Sequence, residues 1–174
     1  MDNRSKIISA AEKLFDTHGF MATGMDRLTA AADMSSRTLY KHAGSKAALM
    51  AAVLAAREQR FMEYASVDSV DALFAALHDW LETEGSRGCL FLRALGETGG
   101  DVPEIAAVVA AHKERFGERV RAIVAQDLGH DDANLADQIL VLFEGATATA
   151  VYRGSDAVVV ARRAAGALMG LARS

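Results

Sequence analysis

Met34-Ser35-Ser36-Arg37-Thr38-Leu39-Tyr40-Lys41-His42-Ala43-Gly44-Ser45-Lys46 is the run on which the reading of this chain turns. Between Ser36 and His42 it carries a single large aliphatic residue, Leu39. Ser35 or Ser36 is expected to cap a short helix, which Gly44 ends. A helix with one apolar anchor buries that residue and turns the others outward. The outward set is hydroxyls and cations. Ser36, Arg37, Thr38 and Lys41 have the chemistry to reach base edges in a DNA major groove: arginine pairs with guanine in bidentate fashion, and a threonine methyl meets a thymine methyl. Tyr40, His42 and Lys46 suit phosphates, which set register without reading sequence.

The flanking segments support this. Ile7, Ile8, Ala11, Leu14 and Phe15 share one face of a helix over residues 4–17, with Asn3 as the expected cap and Gly19 as the stop. Thr23-Gly24-Met25-Asp26 has the form of a capping box opening a second, short helix, whose Leu28 and Ala31 face the first. Ala32-Asp33-Met34-Ser35 breaks the period, and Ser45 caps a long helix from residue 46 to about 65. Three helices in the first 44 positions, two of them short and about four residues apart, have the dimensions of a helix-turn-helix unit. Thr23 and Lys46 stand at helix N-termini, where free N–H groups favour an anion.

Taken together, Ala11-Glu12-Lys13-Leu14-Phe15-Asp16-Thr17-His18-Gly19-Phe20, the 23–28 segment and the 34–46 run resemble the tetracycline-repressor (TetR) family. The match spans the first 50 residues; beyond them only helix order and Arg87-Gly88-Cys89-Leu90 continue it. The resemblance implies a one-component, sequence-specific DNA-binding transcriptional regulator. It also implies a homodimer on a pseudo-palindromic double-stranded operator, acting as a repressor released by a small-molecule effector. It assigns phosphate contacts to Thr23, Tyr40, His42 and Lys46. Bland readings stand beside these: Arg37 and Lys41 as solvated charges, Tyr40 packing its ring on the first helix, His42 capping the third. Two positions depart from the family pattern. Ala43 stands where an aromatic is usual, and Ala47 where Glu is frequent. The lost aromatic leaves a void that Met25, Met34 or Met50 is expected to fill.

The rest of the chain reads as further helices, giving an all-α fold of about nine, with a DNA-binding domain over 1–46 and an effector-binding and dimerisation domain over 47–174. Val70, Leu73, Phe74, Leu77, Trp80 and Leu81 form one stripe; Ile105, Val109, His112, Phe116, Val120 and Ile123 form another. The resemblance places a ligand cavity in this body. Its candidate lining is Phe74, Leu77, Trp80, Leu81, Cys89 and Leu92, with Val109, His112, Phe116, Phe143, Glu144 and Thr147. His112 and Glu144 interrupt apolar stripes, so each needs a partner or a ligand; a satisfied core histidine and an interface salt bridge are the competing readings. Cys89 reads as an inert thiol before it reads as a sensor. The last two helices are apolar on more than one face, which points to a second subunit. Leu135, Ile139, Gly145, Ala148, Tyr152, Val159, Gly166, Met169 and Gly170 are the interface candidates.

Composition narrows the classes. A net charge of −4 at pH 7 argues against nucleic acid, but the charge is polarised. Residues 1–50 hold seven Lys/Arg against five Asp/Glu, and the remainder twelve against eighteen. Local charge governs a docking surface. One cysteine and five scattered histidines give no metal spacing, and no phosphate loop or nucleophile elbow is present, so neither catalysis, cofactor nor metal is expected. No run is apolar enough to span a membrane, and a cytoplasmic protein is expected. The alternative is a helical ligand-binding or interaction protein whose head no longer binds DNA.

Overall fold

Asp2 opens the first helix of the computed structural model, which describes residues 2–174. Its carboxylate accepts the Ser5 N–H at 2.7 Å, so the cap is Asp2 and not Asn3. Among the described residues the chain forms nine helices: α1 (Asn3–His18), α2 (Met25–Ala32), α3 (Ser36–Ala43), α4 (Lys46–Tyr64), α5 (Val70–Glu84), α6 (Leu90–Glu97), α7 (Pro103–Leu128), α8 (Ala133–Arg153) and α9 (Asp156–Ala172). The expected punctuation holds at most ends. Ser35, Ser69 and Asp132 cap α3, α5 and α8 through their side chains, and glycines follow α1, α3, α5 and α8. The capping box does not form. Gly24 is the N-cap of α2, without a side-chain bond, because the Thr23 hydroxyl donates backward to the Gly19 carbonyl at 2.7 Å.

Two compact units result, and neither breaks at residue 46. The first contains the chain up to Gln59 together with Leu90–Ala111. Helices α1, α2 and α3 pack on one another around Ile7, Ala11, Phe15, Leu28 and Leu39. The start of α4 adds Leu49, Met50 and Val53 to the buried set. Helix α6 is held here by two polar clamps. Arg93 donates to the Asp16 carboxylate at 3.1 Å and to the Asp16 carbonyl at 2.9 Å, while Glu97 accepts the Met21 N–H at 2.8 Å. Gly19, at φ 87°, is needed at this turn: a Cβ there would lie 2.8 Å from the Glu97 carboxylate. Arg57 and Glu12, both largely buried, pair at 2.9 Å and tie α4 to α1.

The second unit contains Arg60–Cys89 and His112–Ser174. Its centre is α9 packed on α8 and α5. Phe116 and Phe143 rings lie 4.9 Å apart, with Phe61 at 5.2 Å from Phe116 and Trp80 at 5.3 Å from Phe61. Its edge is pinned by ion pairs: Arg162 Nε reaches Asp71 at 2.6 Å, and Asp127 takes both Arg173 at 2.7 Å and the Val70 N–H at 2.8 Å.

Arg162 hydrogen bonds hold the Asp71 carboxyl below its ordinary value of 3.8, and Arg121 does the same for Asp131. A carboxylate lowered in the folded state contributes stability above its unfolded value and loses it as pH falls through the folded one. Both pairs are exposed, so the effect is small. Asp71→Asn should lower the melting temperature slightly at neutral pH, and the difference should vanish in strong acid, as thermal melts at the two pH values will show.

Candidate nucleic-acid interface

Helix α3 is built from its cap outward. Asp33 adopts the left-handed conformation at φ 52°, closing α2 and turning the chain. Ser35 then accepts the Thr38 N–H at 3.2 Å, and its hydroxyl lies 2.9 Å from that of Thr38. Leu39, with no exposed surface, is the one buried residue of α3. Ser36, Arg37, Lys41 and His42 are exposed, Tyr40 is half exposed, and Thr38 is half buried. Lys41 and His42 occupy the last turn, where cations complement the helix dipole. The face expected to project therefore does project.

Two phosphate candidates are placed differently. Thr23 has no exposed surface and spends its hydroxyl on Gly19, so it offers a phosphate nothing in this conformation. Its position before α2 had suggested a cap, but the tight turn after α1 claims it. Lys46 is half buried, its ammonium 4.4 Å from the centre of the Phe20 ring and 3.4 Å from the Met21 carbonyl. Desolvation lowers its pKa, opposed by Glu97. It is a cation already engaged. The space beside Ala43 also departs from expectation. Met50 is buried and Met25 and Met34 half buried, but none of them lines the open cleft of about 310 Å³ that Ala43 borders.

In the second unit, Phe74, Leu77, Trp80, Leu81, Phe116 and Phe143 are buried core. His112 is buried against Phe116, ring planes stacked at 6.4 Å between centroids, which fits the core-histidine reading. Glu144 pairs with Lys113 at 2.5 Å inside the chain, and Lys113 Nζ also lies 3.6 Å from Cys89 Sγ. Thr147 is half buried and donates to the Phe143 carbonyl at 3.0 Å. Leu92 is exposed, and it belongs with Val109 to the first unit.

The interface candidates divide. Leu135, Ile139 and Met169 are buried inside their own unit, because they sit on the α8 and α9 faces that meet α5 and each other. Gly145, Ala148, Tyr152, Val159, Gly166 and Gly170 are exposed. The same outward faces carry Val141, Val151, Val160 and Leu171, all more than half exposed and all missed in the sequence reading. The spacing 141, 145, 148, 152 was the available signal.

Among the described residues no helix is long and apolar enough to cross a membrane, and no group of three His, Cys, Asp or Glu is placed to hold a metal. Residues 7–53 match the model of the bacterial regulatory proteins of the tetR family. By that match the chain carries a tetR-family segment near its N-terminus. This makes it a DNA-binding transcriptional regulator, with α3 inside the matched segment. Solved structures carry the likeness in fold along the whole chain. SCO4454, a TetR-family transcriptional regulator from Streptomyces coelicolor, aligns at TM-score 0.89 and 23% identity over 99% of this chain and 96% of its own. The sav143 structure from Streptomyces avermitilis gives 0.82 and 24% over 99% and 98%. A TetR transcriptional regulator from Legionella pneumophila gives 0.80 and 19% over 96% and 97%. At these identities the likeness establishes the fold alone. No curated relative matches the sequence significantly.

Proposed function

We propose that this tetR-family regulator binds a pseudo-palindromic operator in the cytoplasm as a homodimer, with α3 in the major groove, and releases it when a small molecule occupies the second unit. The observation that carries the reading is the composition of α3: one buried leucine, and an outer face of Ser36, Arg37, Lys41 and His42. Arg37 and Lys41 read bases, with Ser36 and Thr38 beside them; Tyr40 and His42 meet phosphates. Lys46 joins them only after leaving Phe20 and Met21. The 1–46 boundary describes which elements face DNA, whereas packing groups those elements with α6 and the start of α7.

The exposed apolar stripe of α8 and α9 supplies the dimer face. Two recognition helices on one side of B-DNA must stand about 34–36 Å apart, one helical turn. An effector that prefers a dimer with another separation weakens DNA binding by its differential affinity. His112, Glu144 and the aromatic cluster are the groups such an effector would meet, with Glu144 released from Lys113 or binding together with it.

Selection from random duplex DNA tests this. A short palindrome should be enriched; a pool that stays random would leave a ligand-binding protein with a silent head. On the selected duplex, Arg37→Ala should cost about 1–3 kcal/mol and relax one base position. A uniform loss over all sequences would instead assign Arg37 to phosphate.

A further inference from the structure

The first unit holds a cleft that adjoins the reading face of α3 and shares Lys41 and His42 with it. It lies among α1, the end of α3 and the start of α4, with a volume of about 310 Å³. Ile7, Ile8 and Leu49 give it an apolar floor. Its charged and titratable lining is Arg4, Lys41 and His42, and no acidic residue borders it. Three alanines, Ala43, Ala48 and Ala52, keep it open, since any larger side chain there reduces the space. Ala48 and Ala52 are one helical turn apart on α4 and so share a face.

We propose that this cleft binds a small amphipathic monoanion, a carboxylate on a short apolar body, and that the occupied cleft competes with DNA. The size is at the lower end of small-molecule sites, which run from about 300 to 1,000 Å³. The chemistry follows from the lining. A cation rim without an opposing carboxylate attracts one negative charge, and the aliphatic floor rewards burial of a hydrocarbon tail. Inorganic phosphate, strongly hydrated and without a tail, gains only half of this. Competition arises because Lys41 and His42 line the cleft and also belong to the face assigned to DNA. The competition, though not the site, rests on the DNA reading of α3.

The test uses the full chain and hexanoate as probe, with hexan-1-ol, acetate and inorganic phosphate as partial mimics. Methyl NMR should show saturable shifts at Ile7 and Ile8 with hexanoate, and about tenfold weaker binding or less with each mimic. Ala52→Leu, which fills space, and Arg4→Gln, which removes a rim charge on an exposed residue, should each weaken hexanoate by about tenfold. If Ala52→Leu disturbs the head, Arg4→Gln decides alone. The site is overturned if Ile7 and Ile8 stay unshifted, if the mimics equal hexanoate, or if shifts appear only at Ile123 and Ile139 of the second unit. Hexanoate should also displace the selected duplex from the wild-type chain but not at the same concentration from Ala52→Leu. Methyl shifts without displacement would refute competition while keeping the site; an unenriched duplex pool would count against the DNA reading alone.

Discussion

Replacing Leu39 with alanine destabilises the first unit by about 2–5 kcal/mol and abolishes binding to every duplex alike. Leu39 is fully buried and is the one buried residue of α3. Its removal costs the transfer free energy of the lost methyl groups together with the cavity left behind. It also removes the contact that orients the helix. Ser35 still caps the first turn and Gly44 still follows the last, but neither holds α3 to the scaffold. An eight-residue helix is not stable by itself in water. Chemical denaturation followed by circular dichroism reads the stability, and fluorescence anisotropy with the selected duplex reads the binding. Arg37→Ala is the control, since an exposed side chain should leave the denaturation midpoint unchanged. Equal midpoints for Leu39→Ala and wild type would show that α3 is held by something else.

Val141→Glu should split the proposed dimer and lower affinity for the selected duplex by about a hundredfold or more, with the fold of the subunit intact. Val141 is 70% exposed and borders a shallow apolar cleft with Leu142, Ala164, Ala167 and Leu168. A carboxylate there costs the isolated subunit little, because water already reaches the position. In a dimer paired through this face the same carboxylate would be buried without a partner. Each half-site then binds separately, and the gain from linking two heads is lost. Light scattering should report a monomer and circular dichroism an unchanged helical signal. A dimer that survives the substitution would place the subunit contact on another surface.

The helix boundaries were legible because each is a local event. Ser35, Ser69 and Asp132 cap through their own side chains, and Gly19, Gly44 and Gly85 follow helices at positive φ. Leu39 was legible for a related reason: a lone aliphatic residue in a polar helix has only one way to be buried. The failures share another cause. Thr23 fits a capping box, but the competing acceptor, Gly19, becomes available only when the α1–α2 turn is made. Lys46 reads as a free cation until Phe20 and Met21 are brought beneath it. The roles of Arg93 and Glu97 were invisible, since they depend on a segment more than seventy residues from the turn they clamp.

By itself the sequence determined the all-helical class, the order and most ends of the elements, and the polar outer face of α3, since helical period and capping act within a few residues. Tertiary packing decided which side of α8 and α9 is core: Leu135, Ile139 and Met169 went inward, leaving Val141, Val151 and Tyr152 to solvent. Both faces are apolar, so period alone does not choose between them; the choice is made by what α5 covers. Packing likewise decided that no methionine would close the cleft beside Ala43. Filling a void takes a side chain within reach, and reach is a property of the folded chain.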